Sequence, residues 1–347
     1  FPRVFYANQY FKNFRGAVVA DINDDGVQEI IAGIDEIVYA INGSGEIIWE
    51  SENLPGNITY PPAVADIDGD GLMEIAVNTN YTNNYWDGSV CLLDHEGSMV
   101  DGWPVSFDNH SMSCAPAIAD VDEDGTLEII SLERKTGSGD IEAGVHVLTP
   151  SGTSFSDDWP VILPGTPAVT PSVGDVDADG SNDIVVALSN GELYVLDIDG
   201  QIHDNFPVTN SPDSKFSYQS PALADLTGDG YLEIAGAWHG DEPGYFVYKH
   251  NGELLGDNWP FGVSGWTYTT PTVVDGNSDG EYEVYYSMPT YEQGSEKDVI
   301  FGFTPQGEML DNFPISKEGG CEGVISVADV DANGIQDLVF TSNITDA

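Results

Sequence analysis

The stretch DINDDGVQE, which starts at Asp21, places side-chain oxygens at its first, third, fifth and ninth positions and a glycine at its sixth. Alternate side chains of a tight loop converge on one point, the glycine permits the sharp turn, and the carbonyl of the seventh residue can join them. Oxygen donors in a flexible cage suit a hard divalent cation, and fit Ca2+ better than the strictly octahedral Mg2+. The stretch returns as DIDGDGLME at Asp66, DVDEDGTLE at Asp120, DVDADGSND at Asp175, DLTGDGYLE at Asp225, DGNSDGEYE at Asp275 and DVDANGIQD at Asp329. Successive starts lie 45, 54, 55, 50, 50 and 54 residues apart, too even for chance. An EF-hand loop opens in the same way, but it closes at position twelve between helices. Closure at position nine between strand-like runs excludes that reading.

The elements that position these loops repeat with them. Short runs precede them (AVVA, PAVA, PAIA, PSVG, PALA, PTVV, ISVA) and others follow (EIIAG, EIAVN, EIISL, DIVVAL). Runs this short, rich in β-branched residues and bounded by Gly, Pro or Asp, predict strands. A third run ends in a glycine turn, as in IVYAING, VCLLDHEG and LYVLDIDG. A fourth follows a Trp-Pro or Phe-Pro step, as in GWPVSF, DWPVIL and NFPVTN. Proline has no N–H for a ladder, so this run is expected at the outer edge of its sheet. Trp103, Trp159, Phe206, Trp259 and Phe313 of these steps are expected to be packing residues.

Four antiparallel strands per unit, seven times over, predict an all-β fold. The expected architecture is a seven-bladed β-propeller of four-stranded antiparallel blades, one domain over residues 1–347. The opening FPRVF matches the outer-strand step, and the seventh unit holds about two strands. Residues 1–8 are therefore expected to join the last blade and close the ring, leaving either a short seventh blade or a chain that continues beyond Ala347.

The repeats resemble the FG-GAP or VCBS class found in integrin α-subunit propellers and in secreted bacterial proteins. The resemblance covers nearly the whole chain and implies that each loop joins the first two strands of a blade and binds Ca2+, up to seven structural ions. It implies complete side-chain ligand sets Asp66, Asp68, Asp70, Glu74; Asp120, Asp122, Asp124, Glu128; and Asp175, Asp177, Asp179, Asp183. Four sets have one neutral oxygen in place of an acid and should bind more weakly. They are Asp21, Asn23, Asp25, Glu29; Asp225, Thr227, Asp229, Glu233; Asp275, Asn277, Asp279, Glu283; and Asp329, Asp331, Asn333, Asp337. The backbone carbonyls would be those of Val27, Leu72, Thr126, Ser181, Tyr231, Glu281 and Ile335. Cytosolic Ca2+ is too scarce for sites of this grade, so an extracellular, secreted or cell-surface location is expected.

In such propellers ligands commonly use the face opposite the metal loops. Tyr81, Tyr85, Trp86, Tyr218, Trp238, His239, Trp266, Tyr268 and Tyr291 are expected to ring that mouth, beside Asn, Asp and Ser. Aromatic rings with polar neighbours suit a glycan and equally a cell-surface protein. No GxSxG, HExxH or P-loop occurs, and no catalytic residue is assigned. A polysaccharide lyase would need a base and a cation, for which His110, His239, Arg134 and Lys135 are the candidates. Three readings stand at this point: a binding or adhesion module, a lyase-like enzyme, and an architectural module of a larger secreted protein.

With 59 Asp+Glu against 9 Lys+Arg, the chain carries a formal charge of −50, which excludes nucleic acid and anionic membranes as partners. No eighteen-residue apolar run offers a membrane span, and a monomeric isolated domain is expected. The N-terminus lacks the form of a signal peptide, so a signal would lie upstream. Cys91, Cys114 and Cys321 allow one pair at most.

Overall fold

The runs EIAVNTN and GSVCLL show no polar alternation because the strands they form, Glu74–Asn80 and Gly88–Leu93, are buried on both faces almost throughout. The computed structural model describes residues 16–80, 87–135, 141–211, 213–216, 219–267, 269–277, 279–288, 296–321, 323–334 and 336–341. It divides into two compact units, Phe1–Pro171 and Ser172–Ala347. The fold is all-β, with no helix among the described residues.

Among the described residues the first unit holds three antiparallel sheets. Val18–Ala20, Glu29–Ile34, Ile37–Ile41 and Ile47–Glu50 pair in chain order. The second sheet is built from Ala63–Ala65, Glu74–Asn80, Gly88–Leu93 and Val105–Phe107, and the third from Ala117–Ala119, Glu128–Lys135, Glu142–Leu148 and Val161–Pro164. In the second unit Ala222–Ala224, Glu233–Gly240, Gly244–Tyr248 and Phe261–Gly262 form one four-strand path, and Thr272–Val274, Glu283–Ser287, Glu296–Phe303 and Ile315–Glu318 another. A sheet of Ser172–Gly174, Asp183–Ala187 and Leu193–Leu196 has its outermost run reduced to a bridge between Leu193 and Val208. Ser326–Ala328 and Asp337–Val339 make a two-stranded sheet.

Three short strands extend this plan. Asn57–Ile58, His110–Met112 and Ser214–Lys215 pair with the far halves of Glu74–Asn80, Glu128–Lys135 and Glu233–Gly240. In these three sheets the first strand covers only three residues of its longer neighbour, and the incoming link pairs with residues beyond them.

Within each unit the first strands of successive sheets lie side by side. Their small residues allow this approach; a Cβ added to Gly174 would stand 2.9 Å from Leu232. The outermost strands Val105–Phe107, Val161–Pro164, Phe261–Gly262 and Ile315–Glu318 follow the aromatic-proline steps, as the missing proline N–H requires, whereas Ile47–Glu50 follows none. Trp103, Trp159, Phe206 and Trp259 are buried as expected of packing residues, and Phe313 is half-buried. Three indoles also tie neighbouring sheets together. Trp49, Trp103 and Trp259 donate Nε1–H to the carbonyls of His95, Pro150 and Pro305 at 2.8–2.9 Å.

Candidate metal centres

All seven loops share one hydrogen-bond skeleton. The aspartate at position one accepts the N–H of position five through Oδ1 at 2.9–3.1 Å. Its Oδ2 accepts the N–H of the glycine at position six at 2.8–3.1 Å. In six loops the acid at position five accepts the N–H of position seven. These contacts wrap the backbone around the acids and turn their remaining lone pairs inward. Glycine at position six has φ between 82° and 96° in every loop. Position four is also left-handed, in Asp24, Gly69, Glu123, Ala178, Gly228 and Ala332. Of these six, only Gly69 and Gly228 signal that demand by their residue type.

Position nine is the first residue of the following strand, and its burial is set by the sheet. Glu29, Glu74, Glu128, Asp183, Glu233 and Glu283 are each at most 6% exposed. In all seven loops one carboxylate oxygen of this residue accepts the N–H of position two, at 2.7–3.2 Å. The closing acid therefore staples the loop to its strand and leaves a second oxygen to face the other acids. Motif spacing shows the second role but not the first.

The acids converge. Asp66 with Asp68 and Asp70, Asp120 with Asp122 and Glu128, Asp175 with Asp177 and Asp183, Asp275 with Asp279 and Glu283, and Asp329 with Asp331 and Asp337 each bring three ligand oxygens within 4.8 Å of one another. The loops at Asp21 and Asp225, which carry Asn23 and Thr227 at position three, form no such acidic triplet among the described residues. Burial, followed by the neighbouring aspartates, raises the carboxyls of Glu128 and Glu233 to about 7 against an opposing N–H bond. The same causes raise Glu74 and Glu283. Asp177 Oδ1 is buried with no hydrogen-bond partner. Crowded carboxylates and an orphaned oxygen form a donor set that fits a divalent cation, whose charge would relieve both.

Consecutive loops are joined directly. The N–H of Met73 donates to the carbonyl of Ile22, and that of Leu232 to the carbonyl of Val176. In each case position eight of one loop is tied to position two of the loop before it, so these loops lie side by side.

At the other end of the strands the aromatic expectations meet a mixed outcome. Tyr81, Tyr85, Trp86, Tyr218, Tyr268, Tyr291 and the carbonyl of Ile335 lie outside the described residues, as do residues 1–8. Trp266 is 56% exposed, with its ring stacked at 6.4 Å on that of His239. Trp238, expected at the same mouth, is only 1% exposed. It shares a strand face with Gly236, whose missing side chain admits the Phe246 ring, and that ring covers the indole at 4.2 Å. Burying this large apolar area outweighs leaving Nε1 without a partner.

One constellation was not foreseen. Glu133 is buried between two histidines, with His110 Nδ1 at 2.9 Å from Oε2 and His146 Nε2 at 3.1 Å from Oε1. Gly144 stands opposite Glu133 because a Cβ there would lie 2.5 Å from Oε1. Of the lyase candidates, Arg134 is exposed beside this group and Lys135 pairs with Glu142 at 2.5 Å. His239 belongs to the second unit, where burial and then Lys215 lower its pKa. The three cysteines are buried and unbridged, and burial pushes the thiols of Cys91 and Cys114 up to about 12.

Comparison with known proteins agrees with the loop geometry. The model of the FG-GAP-like repeat matches residues 66–131, which hold the second and third loops, and 175–236, which hold the fourth and fifth. A lambda-carrageenase from Pseudoalteromonas sp is 33% identical over 99 residues, covering 28% of this chain and 9% of that protein. Among solved structures, a europium-containing methanol dehydrogenase aligns over 90% of this chain and 70% of its own, with a TM-score of 0.58 at 13% identity. BamB from Moraxella catarrhalis aligns over 88% and 78%, with a TM-score of 0.52 at 15% identity. BBS1N in complex with ARL6DN aligns over 90% and 83%, at 0.55 and 12%. That likeness is one of fold, and the fold these proteins share is the β-propeller. The skeleton common to the seven loops and the matched segments identify the chain as one that carries FG-GAP-like repeats.

Proposed function

We propose that the protein is an extracellular, Ca2+-stabilised β-propeller of seven blades that binds a glycan at the strand ends opposite its metal loops. The observation that carries the binding site is Trp266. A largely exposed indole, braced by the His239 ring, stands at the end of a sheet whose loop lies about 20 Å away, at the start of Glu233–Gly240. An aromatic face held in place offers stacking for sugar C–H groups, with little ordering cost on binding. The carrageenase match supports a polysaccharide rather than a protein partner. Residues 1–8 would complete the last blade, and the ring would hold up to seven Ca2+ through the sets named above. The test is a glycan array with the Ca2+-loaded protein, followed by Trp266→Ala against any hit. At least a tenfold loss of affinity is expected; no binding across the array, or full binding by the variant, would remove the reading.

A lyase-like or hydrolytic enzyme is the second reading, and Glu133 favours it. Its buried carboxylate lies 2.9 Å from His110 Nδ1, which leaves the other imidazole nitrogen for acid–base work. Product formation from an array hit, lost in His110→Ala, would move the function to catalysis.

A further inference from the structure

The fourth loop breaks its own repeat twice. Position nine is glutamate in the other loops of the first six and the shorter Asp183 here. The sixth residue after the start of the glycine turn is Ile48, Val100, Phe155, Leu255 and Leu310 in the sibling repeats, and His203 in this one. The backbone around that position is unchanged. The N–H of His203 donates to the carbonyl of Val195, as Val100, Phe155 and Leu255 do to Leu92, Val147 and Val247. The two departures meet: His203 Nε2 lies 2.9 Å from Asp183 Oδ1. Asp183 Oδ2 is occupied by the Val176 N–H, so Oδ1 and the imidazole face the loop together. Nearby, Asp177 Oδ1 is buried and has no hydrogen-bond partner.

The geometry points to a mixed nitrogen and oxygen metal site at Asp177, Asp183 and His203, one that takes a borderline divalent ion of the Zn2+ class. Imidazole is a poor donor to Ca2+ and a good one to Zn2+, whose bonds to nitrogen and oxygen are both about 2.1 Å. Two such donors on one tetrahedral ion stand about 3.4 Å apart, so these two atoms, now 2.9 Å apart, need separate by only about 0.5 Å to admit it. The ion takes the place of the hydrogen they share, which moves to Nδ1 or to solvent. Loops whose corresponding position is apolar have no nitrogen to offer and remain oxygen sites.

The inference rests on the reading of the loops as cation sites, and the experiment separates the two. Ca2+ stoichiometry is measured first. Zn2+ is then titrated into the Ca2+-saturated full chain by calorimetry, with Co2+ absorption as a second readout of nitrogen ligation. One tight Zn2+ equivalent is expected in the native protein. His203→Leu, which restores the sibling residue and so keeps the fold, should weaken it at least tenfold with Ca2+ binding at the other loops unchanged. His203→Gln can still hold Asp183 by a hydrogen bond and should lose Zn2+ equally. Absence of a Zn2+ equivalent in a protein that binds Ca2+, or its retention in either variant, overturns the inference. Absence of Ca2+ binding overturns the cation reading itself.

Discussion

The acid at position nine joins two tasks in one side chain. It is buried by its place at the head of a strand, held by one oxygen to the N–H of position two, and surrounded by aspartates. In Glu128 and Glu233 this raises the carboxyl from an ordinary 4.5 to about 7, with burial as the main cause. The folded, metal-free chain therefore keeps protons that the unfolded chain releases. Its stability should be highest below about pH 4.5, fall as pH rises toward 7, and level off above that. Excess Ca2+ should reverse the slope, because the ion replaces the proton and binds better as the acids ionise. Melting temperatures between pH 5 and 8, in chelator and in Ca2+, check both slopes. A metal-free melting point that climbs across this range would contradict the assignment.

At the scale of the element, Trp103 and Trp259, each just before the outer strand of its sheet, donate to a carbonyl of the following sheet's turn within the same unit. Trp103 fills its slot and also donates to the Pro150 carbonyl. The equivalent positions Phe206 and Phe313 show that a ring without an N–H can hold the same slot. Trp103→Phe should thus keep the fold and cost about 1 kcal/mol for the lost hydrogen bond, whereas Trp103→Ala should cost about 3–5 kcal/mol, as measured by denaturant unfolding. An equal cost for the two would mean that the N–H, not the ring, holds the sheets together. The elements that recur were legible in the sequence because each repeat meets the same backbone demand: glycine at position six, proline before an edge strand, small residues where first strands meet. What occurs once was not. The strands Asn57–Ile58, His110–Met112 and Ser214–Lys215 exist because a longer neighbour leaves its edge open, which no local pattern states. Glu133 meets His110 and His146 from three separate strands, and only their register brings them together. The burial of Trp238 depends on the missing side chain of Gly236 across from Phe246, whereas His203 was visible as the one polar residue at an apolar repeat position.

For the molecule as a whole, the question is what its charge of −50 is for. The metal positions of the seven loops hold 24 of the 59 carboxylates, so less than half of the acidity is committed to the loops. The remainder would suit adaptation to salt, and the two explanations predict different behaviour. A site of about 0.1 mM affinity in roughly 1 mM Ca2+ contributes about 1.4 kcal/mol, and seven would contribute about 10 kcal/mol, comparable to the stability of a whole domain. Chelation should therefore lower the melting temperature sharply. If surface repulsion were the cause, 1 M NaCl would restore it, since screening at that strength acts beyond about 3 Å. In the loops the oxygens sit within 4.8 Å of one another and the closing carboxylates are buried, where mobile ions screen poorly. Salt should thus recover only the part of the loss that belongs to the exposed acids, and Ca2+ at millimolar concentration the rest. Full recovery in NaCl alone would assign the acidity to salt adaptation and leave the loops as turns; recovery that requires Ca2+ makes them the fastenings of the fold.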